Sequence, residues 1–211
     1  LAEKIGGVVH PTLYIGTERE RASETLQDLG FKGNEWIVGM DFPANTERSY
    51  YYVEDAFAMM VRFALEQLTT RGYRLAVIVN GHGATNQIQQ LQRLAVEFTQ
   101  RGSCKVLYTF GLDAEFDEDA GHATITETSA ILALEAERVD LKSLPAENIP
   151  LKNIDYAIVD APTFSGQPNP NRTVRPQADP RIATLEHGIQ HFNSTVERLS
   201  KFILKELKTI S

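Results

Sequence analysis

Apolar residues along the chain follow two spacings, and these spacings alternate. Residues 53–71 carry an apolar side chain every three or four positions, which predicts an amphipathic helix that ends at Gly72. The unbroken apolar run Leu75–Val79 then predicts a strand that is covered on both faces. The helical spacing returns over residues 85–100, and Lys105–Phe110 predicts the next strand. Strand, helix and strand in this order predict a βαβ unit with a right-handed crossover.

Weaker patterns flank this unit on both sides. Residues 7–16 predict a strand, and Pro11, which has no backbone N–H, restricts that strand to a sheet edge or a bulge. Helical spacing predicts a helix over residues 126–139 and a last helix that starts directly after the Asp-Pro pair at 179–180. Because no linker divides the chain, we expect a single α/β domain over residues 1–211.

The composition narrows the class of partner. The net charge is -7 and the pI is about 5.3, and no cluster of Lys and Arg offers a face for a phosphate backbone. No apolar run reaches the roughly 18 residues of a membrane span, and residues 1–4 are too polar for a secretory signal. The single cysteine, Cys104, stands at the head of an apolar run and is predicted to lie in the core. We therefore expect a cytoplasmic protein without a nucleic-acid or membrane partner.

The loop Asn80-Gly81-His82-Gly83 follows the first predicted strand of the βαβ unit. Ligands bind at the carboxyl ends of parallel strands, and glycines allow a sharp turn and leave space beside the imidazole. Neutral imidazole is a good ligand for a transition metal, and Asn80 and Asn86 are nearby polar groups that can contact a substrate. The alternative is that Asn-Gly and His-Gly are only turn-forming pairs. The position after a buried strand favours a functional loop.

A second histidine precedes a predicted helix in Gly121-His122-Ala123. Glu127 lies in the first turn of that helix, where its carboxylate is a candidate metal ligand or general base. Thr124 and Glu127 also have the spacing of a capping box, in which both side chains only close the helix end. The spacing alone does not decide between these two interpretations.

Other polar residues are weaker candidates. His10 is a candidate pocket residue, although a polar position near a sheet edge is the better interpretation. Asp41 at a predicted strand end is a candidate substrate contact. His187 and His191 are four residues apart on a predicted helix, a spacing that can bind zinc. A solvated or interface face is the better interpretation of this pair, because structural zinc sites use four ligands.

The ordered motifs resemble those of the creatininase (creatinine amidohydrolase) family. Residues 80–83 with a nearby Asn resemble its N-G-H-G-G-N motif, and His122-Ala123 followed by residues 127–129 resembles its motif in which H-A-G precedes E-T-S. Residues 42–46, Phe-Pro-Ala-Asn-Thr, are similar to its F-P-G-T segment, and the helix start after residues 179–180 fits its C-terminal pattern. The resemblance covers nearly the whole chain in order.

The resemblance implies a fold, a reaction and an assembly. The fold is a three-layer α/β/α arrangement with a mainly parallel central sheet. The reaction is hydrolysis of the C–N bond of a small, often cyclic amide by a hydroxide that two divalent metal ions (zinc, manganese or iron) generate near neutral pH. His82 would be a metal ligand, Glu127 a metal ligand or base, and His122 would hold the substrate or pass a proton to the leaving amine. Asn80 would orient the loop, and the protein would be a homo-oligomer, as in the hexameric members.

The chain also differs from the family pattern in two places. The N-terminal metal motif, E-x-H-G-x-H-L-P, has no counterpart before His10, so we expect the remaining metal ligands to lie upstream of Leu1. Gly81 to Asn86 holds one residue more than N-G-H-G-G-N, and creatininase itself has a Glu ligand near Ala84, which leaves the substrate open. The alternative function is a metal-poor, non-catalytic subunit or binding protein of the same fold.

Overall fold

The computed structural model describes residues 1–20, 23–28, 31–39, 41, 49–111, 122–154, 157–159, 174 and 176–210. The chain forms two compact units. The first comprises Leu1–Arg19, Ser49–Gly111 and Val196–Ser211, and the second comprises Glu20–Arg48 and Leu112–Thr195. The expectation of a single domain stays a prediction.

The described elements are six α-helices, six strands and four 3-10 turns. The helices are α1 (Ala2–Ile5), α2 (Ser23–Asp28), α3 (Glu54–Thr70), α4 (Thr85–Gln100), α5 (Ile125–Glu135) and α6 (Leu185–Leu207). The strands are β1 (Arg19–Glu20), β2 (Ile37–Val38), β3 (Leu75–Asn80), β4 (Lys105–Phe110), β5 (Lys152–Ile154) and β6 (Ala157–Val159). The 3-10 turns are Ala136–Arg138, Leu141–Ser143, Pro176–Ala178 and Pro180–Ile182.

The first unit contains the predicted βαβ arrangement. β3 and β4 pair in parallel, with Leu75 opposite Lys105 and Asn80 opposite Phe110, and α4 connects them. The apolar faces of α3 and α4 and the inward side chains of the strands form one core, which includes Cys104 as predicted. The parallel strands and connecting helix confirm the α/β class, and they place residues 81–84 at the carboxyl end of β3.

The second unit has a smaller described core. β5 and β6 pair in antiparallel fashion, and Leu151 and Ala178 are buried against Leu144 and Val174. α5 begins at Ile125 and ends at Glu135, so the helix predicted over residues 126–139 is present but gives way to a 3-10 turn three residues before its predicted end. Residues 42–46, which resemble the F-P-G-T segment, and Gly121 lie outside the described residues.

Two sequence predictions about elements are wrong. Residues 7–16 are not a strand, and Val8 and Tyr14 are 79% and 91% exposed. Apolar residues and a proline suit a sheet edge, but a strand also needs a neighbour along its length for its backbone hydrogen bonds. Among the described residues this segment is bonded to a neighbouring segment at its end, where Gly16 O accepts from Tyr52 N at 2.8 Å. The last helix begins at Leu185 rather than directly after residues 179–180, because Asp179 caps a short 3-10 turn by accepting from Arg181 N.

No helix in the described part of the chain is long and apolar enough to cross a membrane.

Candidate functional site

The loop after β3 is closed by the side chain of Asn80. The Asn80 Oδ1 accepts from His82 N at 3.2 Å, and its Nδ2 donates to His82 O at 2.7 Å. Asn80 is buried, so this pair of short bonds forms away from solvent and fixes the turn. The backbone of His82 is therefore held from both its N–H and its carbonyl group by one amide.

The two glycines of the loop play a different role from the one expected. Neither Gly81 nor Gly83 has a positive φ, so the prediction that glycine is needed to turn the backbone is wrong at both positions. Any residue can adopt these conformations, and the Asn80 amide makes the turn instead. The glycines do leave room: a Cβ added at Gly81 would meet nothing within 4 Å, and one at Gly83 would come no closer than 3.8 Å to Phe110.

The imidazole of His82 lies between a tyrosine ring and a carboxylate. Tyr51 stacks on it with a centroid separation of 5.1 Å and an interplanar angle of 26°. The Nε2 atom lies 3.4 Å from Glu18 Oε2, and this nitrogen is buried and makes no hydrogen bond. Burial, the charge of Glu18 and a hydrogen bond to Glu18 raise the pKa of Tyr51 to about 12, so its hydroxyl stays protonated and donates to the carboxylate.

Gln87 connects this loop to the segment that carries Glu18. Its Nε2 donates to Asn80 Oδ1 at 2.8 Å, and its Oε1 accepts from Thr17 N at 2.9 Å. Asn86, predicted to contact substrate, donates to Thr17 Oγ1 at 3.3 Å. All four side chains are buried: Thr17, Asn80, Asn86 and Gln87. The network fixes the backbone next to Glu18 relative to the backbone of His82.

Sequence reasoning missed Glu18, Tyr51 and Gln87. Glu18 lies in a polar segment with no periodic pattern, so its neighbours in space leave no local signal. Gln87 did have a signal, because it lies four residues before Leu91 and therefore extends the inward face of α4. A glutamine on a buried stripe next to a candidate loop indicates a polar partner inside the protein.

The donor set beside His82 fits part of a metal site. A buried imidazole nitrogen without a hydrogen bond and a carboxylate oxygen are the ligand types of catalytic zinc, which uses three protein ligands and one open position. Among the described residues, no group of three or more His, Cys, Asp or Glu side chains is close enough to hold a metal ion. The described part of the chain thus offers two of the protein ligands that such a metal needs.

The turn before α5, in the second unit, is more exposed. His122 Nδ1 lies 3.4 Å from Glu127 Oε1, and the two side chains are 63% and 48% exposed. Glu127 Oε2 accepts from Ala123 N at 2.7 Å, and Ala123 has a φ of 59° in the left-handed region. Burial raises the pKa of Glu127, but the hydrogen bonds from His122 and Ala123 N outweigh it, and the pKa lies below its usual value.

The capping-box interpretation is only half right. Thr124 is the N-cap residue of α5, but its side chain makes no capping hydrogen bond to the helix. Glu127 reaches back, as in a capping box, but to the N–H of Ala123 rather than to that of Thr124. The carboxylate therefore stabilises the turn that presents His122, and its second oxygen remains beside the imidazole.

An open depression of about 360 Å³ lies beside Glu127 in the second unit. Its lining includes Ile131, Leu144 and Leu151, together with charged groups of both signs on Glu127, Arg138 and Asp140. Glu127 is the residue of this lining that the sequence had singled out.

The weaker candidates differ in exposure and in their contacts. His10 is exposed, and its Nδ1 lies 2.9 Å from the carbonyl oxygen of Pro11. Asp41 is half-buried in the second unit, three residues after the end of β2. His191 is only 3% exposed and its ring packs on Phe192, so the interpretation of the two helical histidines as a solvated face is wrong at His191.

Comparison with known proteins identifies the family of the chain. The model of the creatininase family, described as creatinine amidohydrolase, matches residues 1–203. The chain belongs to the creatininase family. The motifs around His82 and His122 both lie within the matched residues.

A solved structure of creatininase confirms the creatininase-like α/β fold. A Glu-to-Gln mutant of creatininase, of Zn–Zn type, is 20% identical with a TM-score of 0.58, over 97% of this chain and 78% of that one. A protein of Bacteroides fragilis NCTC 9343 assigned as a creatinine amidohydrolase is 17% identical with a TM-score of 0.47, over 72% of this chain and 61% of that one. No curated protein matches the chain at a significant level.

Proposed function

We propose that this creatininase-family protein is a metal-dependent hydrolase that cleaves a C–N bond of a small amide, using a metal-activated water. The observation that carries the proposal is the buried Nε2 of His82, which makes no hydrogen bond and faces a carboxylate. Family membership supports the reaction class, and the Zn–Zn type of the similar creatininase supports a divalent metal. Zinc, manganese and iron all suit imidazole with carboxylate, and we propose two ions in the complete site.

His82 would hold the metal, and the network around Asn80 keeps its ring in place. A divalent ion held there would supply a water of lowered pKa and a Lewis acid for the amide carbonyl. The Glu127 carboxylate stays ionised at neutral pH, because its pKa is lowered, and it can therefore accept a proton or retain one on His122. In this proposal His122 passes that proton to the leaving amine nitrogen, which turns a poor leaving group into a neutral amine.

A second candidate is a metal-poor, non-catalytic subunit or binding protein of the same fold. The observation that favours it is that no group of three ligating side chains is found among the described residues. Beyond the reaction, we propose that the substrate is a small-molecule amide and that the protein is a homo-oligomer, with the hexamer that the family resemblance implies. We also propose a cytoplasmic location, because the single cysteine cannot form an internal disulfide. No nucleic-acid or membrane partner is part of the proposal.

The test is amine release by full-length protein loaded with zinc or manganese, measured on creatinine and on a panel of linear and cyclic amides. We expect turnover of at least one amide, and loss of that turnover in His82→Ala. Gln89→Ala, an exposed position on α4, is the matched control and keeps the activity. Activity unchanged in His82→Ala would contradict the hydrolase proposal, and a wild-type protein that binds metal poorly and turns over no amide would favour the non-catalytic subunit.

A further inference from the structure

We infer that Glu18 is a protein ligand of the same metal ion that His82 binds. This inference rests on the proposed function and adds a ligand from a segment that no motif marks. Glu18 Oε2 and His82 Nε2 are 3.4 Å apart. Two ligands that each lie about 2.1 Å from a tetrahedral zinc ion are separated by about 3.4 Å. The two atoms therefore already have the separation that a shared metal ion requires.

The condition of His82 Nε2 supports a shared ion over a simple ion pair. This nitrogen is buried and makes no hydrogen bond, although a carboxylate oxygen lies nearby. A buried polar atom without a partner is costly, and an ion is one of the partners that satisfies it. A histidine that served only to pair with Glu18 would turn its N–H toward the oxygen at hydrogen-bond distance.

Glu18 is held in place by groups that are not themselves ligands. The hydroxyl of Tyr51 donates to its carboxylate, and the Tyr51 ring stacks on the His82 imidazole, so one side chain orients both proposed ligands. The backbone just before Glu18 is fixed by the bond from Thr17 N to Gln87 Oε1. Partners that orient ligands in this way are typical of metal sites and raise metal affinity.

The chemistry of the two donors defines the class of ion. Imidazole nitrogen with carboxylate oxygen suits zinc, manganese and iron, whereas calcium and magnesium prefer oxygen ligands alone. Two protein ligands leave the remaining positions of a tetrahedral ion for water, substrate or further donors. The loop next to His82 is open at Gly81, since an added Cβ there would meet no atom within 4 Å.

The test compares the affinity of metal-free, full-length protein for Zn²⁺ by competition with a chelator, and the absorption spectrum of the Co²⁺-loaded protein. Glu18→Gln keeps the shape of the side chain but removes its charge, and we expect its dissociation constant for Zn²⁺ to rise by more than about 100-fold. This loss exceeds that from removing an outer partner, which costs about 10- to 100-fold. Glu66→Gln, a surface carboxylate 47% exposed in the same unit, is the control and keeps the wild-type affinity.

A second variant keeps the test decisive if Glu18→Gln is unstable. Tyr51→Phe removes only the hydroxyl that donates to Glu18, and we expect it to weaken Zn²⁺ binding about tenfold and to shift the Co²⁺ spectrum. Wild-type affinity in folded Glu18→Gln, or in Tyr51→Phe where Glu18→Gln does not fold, overturns the inference. If His82→Ala still loses the metal in that case, the proposed function stands without Glu18. A wild-type protein that binds no divalent metal overturns both.

Discussion

His82 and His122 both follow a glycine and precede a helix, yet the two histidines have very different surroundings. The His82 side chain is 21% exposed, its ring is stacked on Tyr51, and its loop is tied by buried amides. The His122 side chain is 63% exposed, and Glu127 beside it contacts groups no more than five residues away. His82 is thus fixed by residues distant in sequence, whereas the described contact of His122 comes from its own turn.

The difference separates two chemical roles that the sequence motifs leave together. A metal ligand must be fixed in position before the ion arrives, since loose ligands lower affinity. A residue that moves a proton must reach solvent and substrate, and an exposed imidazole beside an ionised carboxylate can do so. The contrast therefore supports the proposal that the loop after β3 binds the metal and that the turn before α5 transfers a proton. This contrast can be tested through the contacts that support the His82 loop and the His122 turn.

The largest effect is expected at Gly188, which supports α5 behind the His122 turn. A Cβ there would lie 1.9 Å from Ser129 O and 2.9 Å from Ala133 Cβ, so the two helices cannot keep their separation. We expect Gly188→Ala to lower the free energy of unfolding by about 3 kcal/mol or more, measured by urea denaturation. Gly81→Ala, where an added Cβ meets nothing within 4 Å, is expected to change it little. Equal stability of the two variants would contradict the close helix contact.

Gln87→Ala tests the amide network under the His82 loop. The change leaves the buried Thr17 N–H without its acceptor, and we expect a loss of about 2 kcal/mol in the free energy of unfolding. Gln89→Ala, exposed on the same helix, is the control for helix propensity. If the two variants lose the same stability, the network does not hold the loop.

Ala123→Gly tests the local turn before α5. The left-handed backbone of Ala123, with a φ of 59°, is unfavourable for a side chain with a Cβ. We expect the glycine variant to be more stable by up to about 1 kcal/mol in urea unfolding. Ala130→Gly, inside α5, should instead lose about 1 kcal/mol. Destabilisation by both changes would show that the turn does not strain Ala123.

The smallest effect concerns acid stability of the helices that support the His82 loop. Hydrogen bonds from Arg62 outweigh burial and, with the charge of Arg62 and Arg101, lower the pKa of Glu97 to about 2. The folded pKa is depressed, so this stabilisation is complete above the usual carboxyl pKa near 4.5 and is lost as the pH falls toward 2. Because Glu97 is 30% exposed, we expect at most about 1 kcal/mol.

Urea unfolding at about pH 6 and about pH 3 measures this contribution. Glu97→Gln should lose less stability between the two pH values than the wild type does, because it has no carboxylate to protonate. Glu66→Gln, whose side chain is 47% exposed, is the control. An identical pH dependence in Glu97→Gln and the wild type would contradict the assignment.

The βαβ unit could be predicted closely because its periodic signal is strong over many residues. The helix predicted over residues 85–100 and the strand predicted over Lys105–Phe110 have the observed bounds. The strand predicted over residues 7–16 failed, since strand formation depends on a neighbouring chain segment that a local pattern does not contain. Local periodicity therefore predicted the long helix and the strand with a clear apolar pattern, but not whether residues 7–16 have a strand to pair with.

The buried face of α6 shows why apolar residues alone mislead. Leu185 and Ile189 have the spacing of an apolar stripe, but these side chains are 44% and 46% exposed. Gly188 is buried instead, because the close approach of Ser129 O leaves no room there for a side chain. Glu18 was missed because it lies 64 positions before His82 in the sequence, and no motif spans that distance.

Metal content is the most direct test of the central claim, that the loop after β3 holds the metal. Full-length wild type, His82→Ala and His122→Ala are purified with Zn²⁺ present, freed of unbound metal, and analysed by mass spectrometry of the elements. We expect the wild type and His122→Ala to retain the ion and His82→Ala to lose it. Equal metal content in His82→Ala and the wild type would contradict the account.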